Sequence, residues 1–229
     1  MELKIKDIVN LFQVSEKTVY RWIKDQKIPC YRINHQYRFN RAEINEWILS
    51  NKIELSPSLI NLAASQSSEI LSKLIENGGI ISLDAAENVK DVLRIALEKI
   101  NTPRNLSKEE ILNALLSREE LMPTAIGNGI AIPHPRTPIV TDVNNASISI
   151  CYLAKPLEFG ALDKQPVHTL FVLFTASPKM HLNVLSKLSY LCQDKAFLEI
   201  LKDHIEKDAL LEYVRTKELE WQKKGNLIQ

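Results

Sequence analysis

Arg118, His134 and His181 are the residues whose types and spacing could do chemistry. His134 stands in "GNGIAIPHPR", Gly127 to Arg136, between two prolines and after a short apolar run introduced by two glycines. An imidazole that is neutral near pH 7 can act as a nucleophile. Gly127 and Gly129 allow close backbone approach or unusual dihedrals, and Pro133 and Pro135 stiffen the chain on either side, fixing where the ring points. His181 falls in the first turn of "SPKMHLNVLSKL", with Val184, Leu185 and Leu188 following at i+3, i+4 and i+7. It therefore points along an inward stripe, near a helix N-terminus that favours an anion. Arg118 ends "SKEEILNALLSR", three residues after Leu115 and seven after Ile111, on or near an apolar face where a buried charge needs a partner. Two histidines and an inward arginine suit an anion, most simply a phosphoryl group. Each also has a plainer reading: a histidine closing a strand, a satisfied helix-end histidine, and an exposed arginine on a frayed last turn. His35, His168 and His204 have no such company: the tip of a hairpin, the start of a strand, and an exposed helix position.

The elements that must position these residues follow from periodicity. "SSEILSKLIENGG" reads as a helix ended by glycines, "IISLDA" as a short strand, and "ENVKDVLRIALEKI" as an amphipathic helix. "SKEEILNALLSREEL" opens with the capping box Ser107 to Glu110. "GIAIPH", "ASISICYL" and "VHTLFVLFTA" read as buried strands. "SPKMHLNVLSKLSYL" begins with Ser177 at the N-cap and Pro178 at the first helical position, and two short helices close the chain. Strands alternating with helices predict an α/β domain over residues 68–229. Residues 51–67, mixing Ser, Asn and Pro with a short apolar patch, read as a linker.

Residues 1–50 have a different character. "KIKDIVNLF" and "VSEKTVYRWI" are two short helices joined by a tight turn, with Ser15 as N-cap of the second. "YRINHQYRF", broken at Asn34-His35, has the pattern of a hairpin. "NRAEINEWIL" opens with Asn40 and Glu43 in capping-box spacing. The second helix turns Val19 and Ile23 inward and presents Lys17, Thr18, Tyr20, Arg21 and Lys24, a face of hydroxyl and basic groups suited to phosphates and base edges. Arg32 and Arg38 on the hairpin add a wing that grips the flanking backbone. The run from Asp7 to Ile48 resembles the small winged-helix DNA-binding domains of the excisionase and MerR type, most specifically in "VSEKTVYRWIKDQKIP" and the "YRF" before the next helix. The resemblance implies double-stranded DNA as partner. One such domain has a small footprint, so a homodimer or a tandem site is expected. A protein-docking module is the alternative.

"SREELMPTAIGNGIAIPHPR", "KPLEFGALDKQPVHTLFVLFTAS" and "HLNVLSKLSYL" together resemble the enzyme IIA domains of the fructose–mannitol class of the bacterial phosphotransferase system, a class that includes a nitrogen-related regulatory paralogue. The resemblance implies a mixed sheet sandwiched between helices. It also implies that His134 accepts a phosphoryl group from the histidine-containing phosphocarrier protein, with His181 as the second active-site histidine and Arg118 as the active-site arginine. Arg136 keeps a basic residue close by, to help offset phosphoryl charge. Pro135 departs from the commonest family form, which has glycine there. The loop loses flexibility and one backbone N–H.

The composition is that of an ordinary globular protein, with 45% hydrophobic and 25% charged residues. The net charge of +1 divides unevenly: residues 1–50 carry nine basic and six acidic groups, the remainder twenty and twenty-two. Cys30, Cys151 and Cys192 are odd in number and widely spaced, which argues against a disulfide framework or a zinc site, and neither a metal nor another cofactor is expected. The N-terminus lacks the apolar core of a signal peptide, and no apolar run approaches the ~18 residues of a membrane span. The expectation is a cytoplasmic regulator without membrane insertion, its DNA-binding module fused to a phosphorylatable domain that forms phosphohistidine as a carrier and not as a turnover enzyme. The alternatives are a phosphocarrier in sugar transport, or a regulator that binds a protein in one phosphorylation state without DNA.

Overall fold

The computed structural model describes residues 2–12, 14–25, 27–33, 36–40, 43, 44, 47, 70–140 and 142–226. The predicted linker, the hairpin tip at Asn34-His35 and most of "NRAEINEWIL" lie outside these residues.

The N-terminal unit begins with strand β1 (Glu2–Leu3), helix α1 (Ile5–Phe12) and helix α2 (Glu16–Lys24). Ser15 caps α2, its side chain accepting from the Thr18 amide at 3.2 Å, a bond worth about 1 kcal/mol. Strands β2 (Tyr31–Ile33) and β3 (Gln36–Asn40) pair antiparallel, and β1 adds to the other edge of β3. Ile8, Val19, Ile28, Phe39, Ile44 and Trp47 form the small core beneath them.

The C-terminal unit has six α-helices and five strands among the described residues: α3 (Leu71–Gly78), β4 (Ile80–Leu83), α4 (Val89–Lys99), α5 (Lys108–Leu121), β5 (Ala125–Gly127), β6 (Ile130–Ala131), β7 (Ser147–Leu157), β8 (Val167–Phe174), α6 (Pro178–Leu191), α7 (Lys195–Lys202) and α8 (Lys207–Asn226). The sheet order is β4-β7-β8-β6-β5. β4 runs parallel to β7, β6 parallel to β8, and the other pairs are antiparallel, so the sheet is mixed. Its central strands alternate between two cores. Ile148, Ile150, Phe171 and Leu173 face α3, α6, α7 and α8. Cys151, Leu153, Leu170 and Val172 face α4 and α5. The expected sheet between helical layers is the fold observed.

The capping predictions at Ser15, Ser107 and Ser177 hold. Ser107 and Glu110 form the reciprocal box at the start of α5, and Ser177 caps α6 with Pro178 in its first turn. Two readings need correction. The chain closes with one short helix and one of 20 residues, because its apolar stripe of Leu210, Leu211, Val214 and Trp221 is interrupted on the same face by the buried Glu218. His204 lies in the turn between them at φ 51°, not on a helix, and stacks on Tyr152.

A buried carboxylate ties the first helix of this unit to the last. Glu218, 1% exposed, accepts from the amides of Leu71 and Ser72 and from the Ser72 hydroxyl at 2.7–3.2 Å. The two amides are otherwise unsatisfied donors of a helix N-terminus.

Candidate functional site

The GNG turn sets up the site. Gly127, Asn128 and Gly129 all take positive φ, at 87°, 54° and 72°, a run that favours Gly and Asn. At Gly129 a Cβ would also collide with the His168 ring. Beyond the turn, the segment leading to His134 lies along β8: the Gly129 carbonyl accepts from the His168 and Thr169 amides, and the Pro133 carbonyl from Leu173 at 3.0 Å. His134 emerges at the end of this track with only 3% exposure.

Its hydrogen bonds fix its tautomer. Nδ1 lies 2.7 Å from the Ile132 carbonyl oxygen. A carbonyl only accepts, so Nδ1 carries the proton and Nε2 keeps the lone pair. Arg118, also 3% exposed, donates Nε–H to that Nε2 at 3.2 Å and Nη1–H to the Met122 carbonyl at 2.6 Å. The His181 ring stands 4.7 Å from the His134 ring, centroid to centroid, tilted by 55°. Its Nδ1 lies 3.3 Å from the buried Thr175 hydroxyl, and its place in the first turn of α6 puts it at the positive end of the helix dipole.

The structure thus brings Arg118, His134 and His181 into one cluster. Arg136 lies outside it, exposed, with Nη2 3.9 Å from the Glu43 carboxylate. Three neighbours escaped sequence reasoning: Thr175, Glu119 and Thr124. Glu119 accepts from the Thr124 amide at 2.9 Å and hydroxyl at 2.5 Å. Burial pushes its carboxyl above the ordinary range, against those two bonds and the nearby Arg118 charge. Among the described residues no three of His, Cys, Asp and Glu gather as metal ligands, and no helix is long and apolar enough to cross a membrane. The three cysteines form no disulfide.

In the N-terminal unit Lys17, Tyr20, Arg21 and Lys24 are exposed on α2, and Arg32 is exposed on β2. Thr18 is half-buried, its hydroxyl 3.0 Å from that of Ser15. Tyr37 joins helix to hairpin: its ring makes an edge contact with Tyr20, and the Arg32 guanidinium lies 5.0 Å above it. Arg38 is held along its own strand by the Tyr37 carbonyl and the Gln36 side chain.

Fold and site define a two-part chain, a helix-turn-helix unit followed by an α/β unit of the IIA kind. Residues 73–217 match the family described as "Phosphoenolpyruvate-dependent sugar phosphotransferase system, EIIA 2", and residues 2–52 match a helix-turn-helix domain family. The chain belongs to the EIIA 2 family of the phosphotransferase system. The nitrogen regulatory protein of Klebsiella oxytoca is 35% identical over 118 residues, 51% of this chain and 72% of that protein. The fructose-specific EIIABC component of Bacillus subtilis is 33% identical over 132 residues, 56% of this chain and 20% of that protein. The crystal structure of nitrogen regulatory protein IIA-Ntr from Neisseria meningitidis superposes with a TM-score of 0.50 at 29% identity, covering 64% of this chain and 93% of that one.

Proposed function

We propose that this protein is a DNA-binding transcriptional regulator controlled by phosphorylation of His134, with the histidine-containing phosphocarrier protein of the phosphotransferase system as donor. The observation that carries the reading is the His134 Nε2 lone pair, held toward Arg118 beside a second histidine at a helix N-terminus. The division into a DNA-binding unit at 1–50, a linker at 51–67 and a phosphoacceptor unit at 68–229 belongs to the same reading.

The proposed transfer needs neither metal nor cofactor. The Nε2 lone pair attacks phosphorus in line with the donor's P–N bond. That bond breaks, and its electron pair returns to the donor imidazole. The transition state of phosphoryl transfer is loose, so positioning and charge stabilisation do most of the catalysis. Arg118 leaves Nε2 and turns its N–H groups to the phosphoryl oxygens. His181 donates to another oxygen, and the first turn of α6 adds its dipole. The Nδ1–H bond to Ile132 holds the ring as it gains positive charge. Arg136, exposed nearby, serves the outer edge of the site. The product is a phosphohistidine carrying roughly −1.5 to −2 charge, taking phosphoserine as guide.

In the N-terminal unit Lys17, Thr18, Tyr20, Arg21 and Lys24 face the duplex, and Arg32 and Arg38 flank it, in a homodimer or on a tandem site. A second reading, a phosphocarrier in sugar uptake, draws on the similarity to the fructose-specific component. One experiment tests the shared step. The protein is incubated with phosphoenolpyruvate, enzyme I and the phosphocarrier, and its intact mass is read beside His134→Ala. An acid-labile phosphate on the wild type alone is expected, and no gain would overturn both readings. Duplex binding with and without phosphate then separates the regulator from the carrier.

A further inference from the structure

Glu119 is an acid in an unfavourable place. It lies in the last turn of α5, where the helix dipole opposes negative charge, and burial opposes that charge as well. What it gains is local: its carboxylate accepts both the amide and the hydroxyl of Thr124, at 2.9 and 2.5 Å. Thr124 is 5% exposed and immediately precedes β5, the strand that pairs with β6.

The bonds continue from there to the reactive ring. The Thr124 carbonyl accepts the Ile132 amide at 3.1 Å, and the Ile132 carbonyl accepts Nδ1–H of His134 at 2.7 Å. Adjacent residues of one helical turn therefore hold the histidine from two sides. Arg118 touches Nε2 directly, and Glu119 secures the backbone behind Nδ1.

We infer that Glu119 is a positioning residue which, through Thr124 and Ile132, selects the His134 tautomer and so makes Nε2 the nitrogen that takes the phosphoryl group. The inference rests on the proposed phosphoryl acceptance for its rate but not for its tautomer. Glu119 touches neither the donor nor the reacting atoms. Freed from this chain of bonds, the Ile132 carbonyl no longer fixes the proton on Nδ1, and the ring populates both tautomers and rotates against Arg118.

The test uses the full chain with three variants. Glu119→Ala removes both acceptors. Glu119→Gln removes the charge but still pairs with the Thr124 amide through its oxygen and with the hydroxyl through its amide. Thr124→Val removes the hydroxyl bond alone. Ring nitrogen chemical shifts of His134 in the unphosphorylated protein report the tautomer. The position of phosphate on the ring and the single-turnover rate report the reaction. Wild type and Glu119→Gln are expected to hold one tautomer and form one phosphohistidine isomer. Glu119→Ala is expected to mix tautomers and isomers and to slow transfer about 10- to 100-fold, the scale of a small misplacement of reacting groups.

A folded Glu119→Ala with a single Nδ1–H tautomer and an unchanged rate overturns the inference. So does Glu119→Gln behaving like alanine, which would make charge the cause. If Glu119→Ala does not fold, Thr124→Val decides: mixed tautomers support the relay, and wild-type shifts and rate overturn it. A wild type that takes no phosphate defeats the proposed function, and the tautomer comparison still decides the role of Glu119.

Discussion

Arg118 donates Nε–H to Nε2 of His134 across 3.2 Å, both side chains buried. In the proposed reaction the same guanidinium first occupies the nucleophile and then serves the incoming phosphoryl oxygens. Its planar fork matters to both tasks, and an ammonium does not reproduce it. Arg118→Lys is expected to lower the rate of His134 phosphorylation by about 10²- to 10³-fold, the range for losing one preorganised donor to a transition state. Rapid-quench single turnovers check it, and a rate within about twofold of wild type would remove Arg118 from the reaction.

Glu119 gives stability a pH dependence with a definite sign. Burial raises its carboxyl above the ordinary value. Between the unfolded and folded pKa the native state holds more protons, so this group's contribution falls as pH rises through that window and is level below it. Glu119→Gln has no such titration. Its stability relative to wild type is expected to improve as pH rises from the ordinary carboxylate range, read as the difference in urea midpoints. Parallel midpoints would show that the carboxyl titrates alike in both states.

Glu218 bears on the fold alone. Glu218→Ala leaves the amides of Leu71 and Ser72 and the Ser72 hydroxyl without their acceptor and removes a charge that favours the ammonium of buried Lys187. Each unsatisfied buried donor costs about 1–3 kcal/mol, so a loss of at least about 3 kcal/mol is expected in denaturant unfolding. Glu218→Gln should lose less. Equal midpoints for Glu218→Ala and wild type would refute the cap.

Lys17 and Arg21 offer the simplest test of the proposal that α2 faces DNA. Replacing both by alanine is expected to weaken binding to any duplex and to reduce the salt slope by about 1 for each phosphate no longer neutralised. Fluorescence anisotropy across a salt series reads both effects. An unchanged slope would move the binding face away from α2.

The sequence reveals what short-range chemistry dictates. The Ser107–Glu110 box, Ser177 before Pro178, and the glycines of the GNG turn each announce a local geometry, and each is found. Arg118 and His181 were legible because their helical periods put them on inward stripes. Glu119 was not, since one position further on in "SREEL" it reads as ordinary solvated surface. Its partner Thr124 belongs to the next segment, and only the tertiary turn after Leu121 brings them together. Thr175 likewise closes a strand like any other polar residue, and nothing local says that a histidine six residues on will face it. Arg136 shows the converse: adjacency in sequence to His134 places it near the loop, but its side chain runs outward to Glu43.

Strand β8 serves as a ruler for the site. At its start the His168 ring presses on Gly129 and its amide binds the Gly129 carbonyl. Further along, Leu173 holds Pro133, and just past its end Thr175 meets His181. The spacing between the GNG turn and the paired imidazoles is therefore measured out by a central strand of the sheet. In the proposed reaction the His134 ring takes its coordinates from backbone bonds to that strand, so its geometry stands ready before a donor arrives.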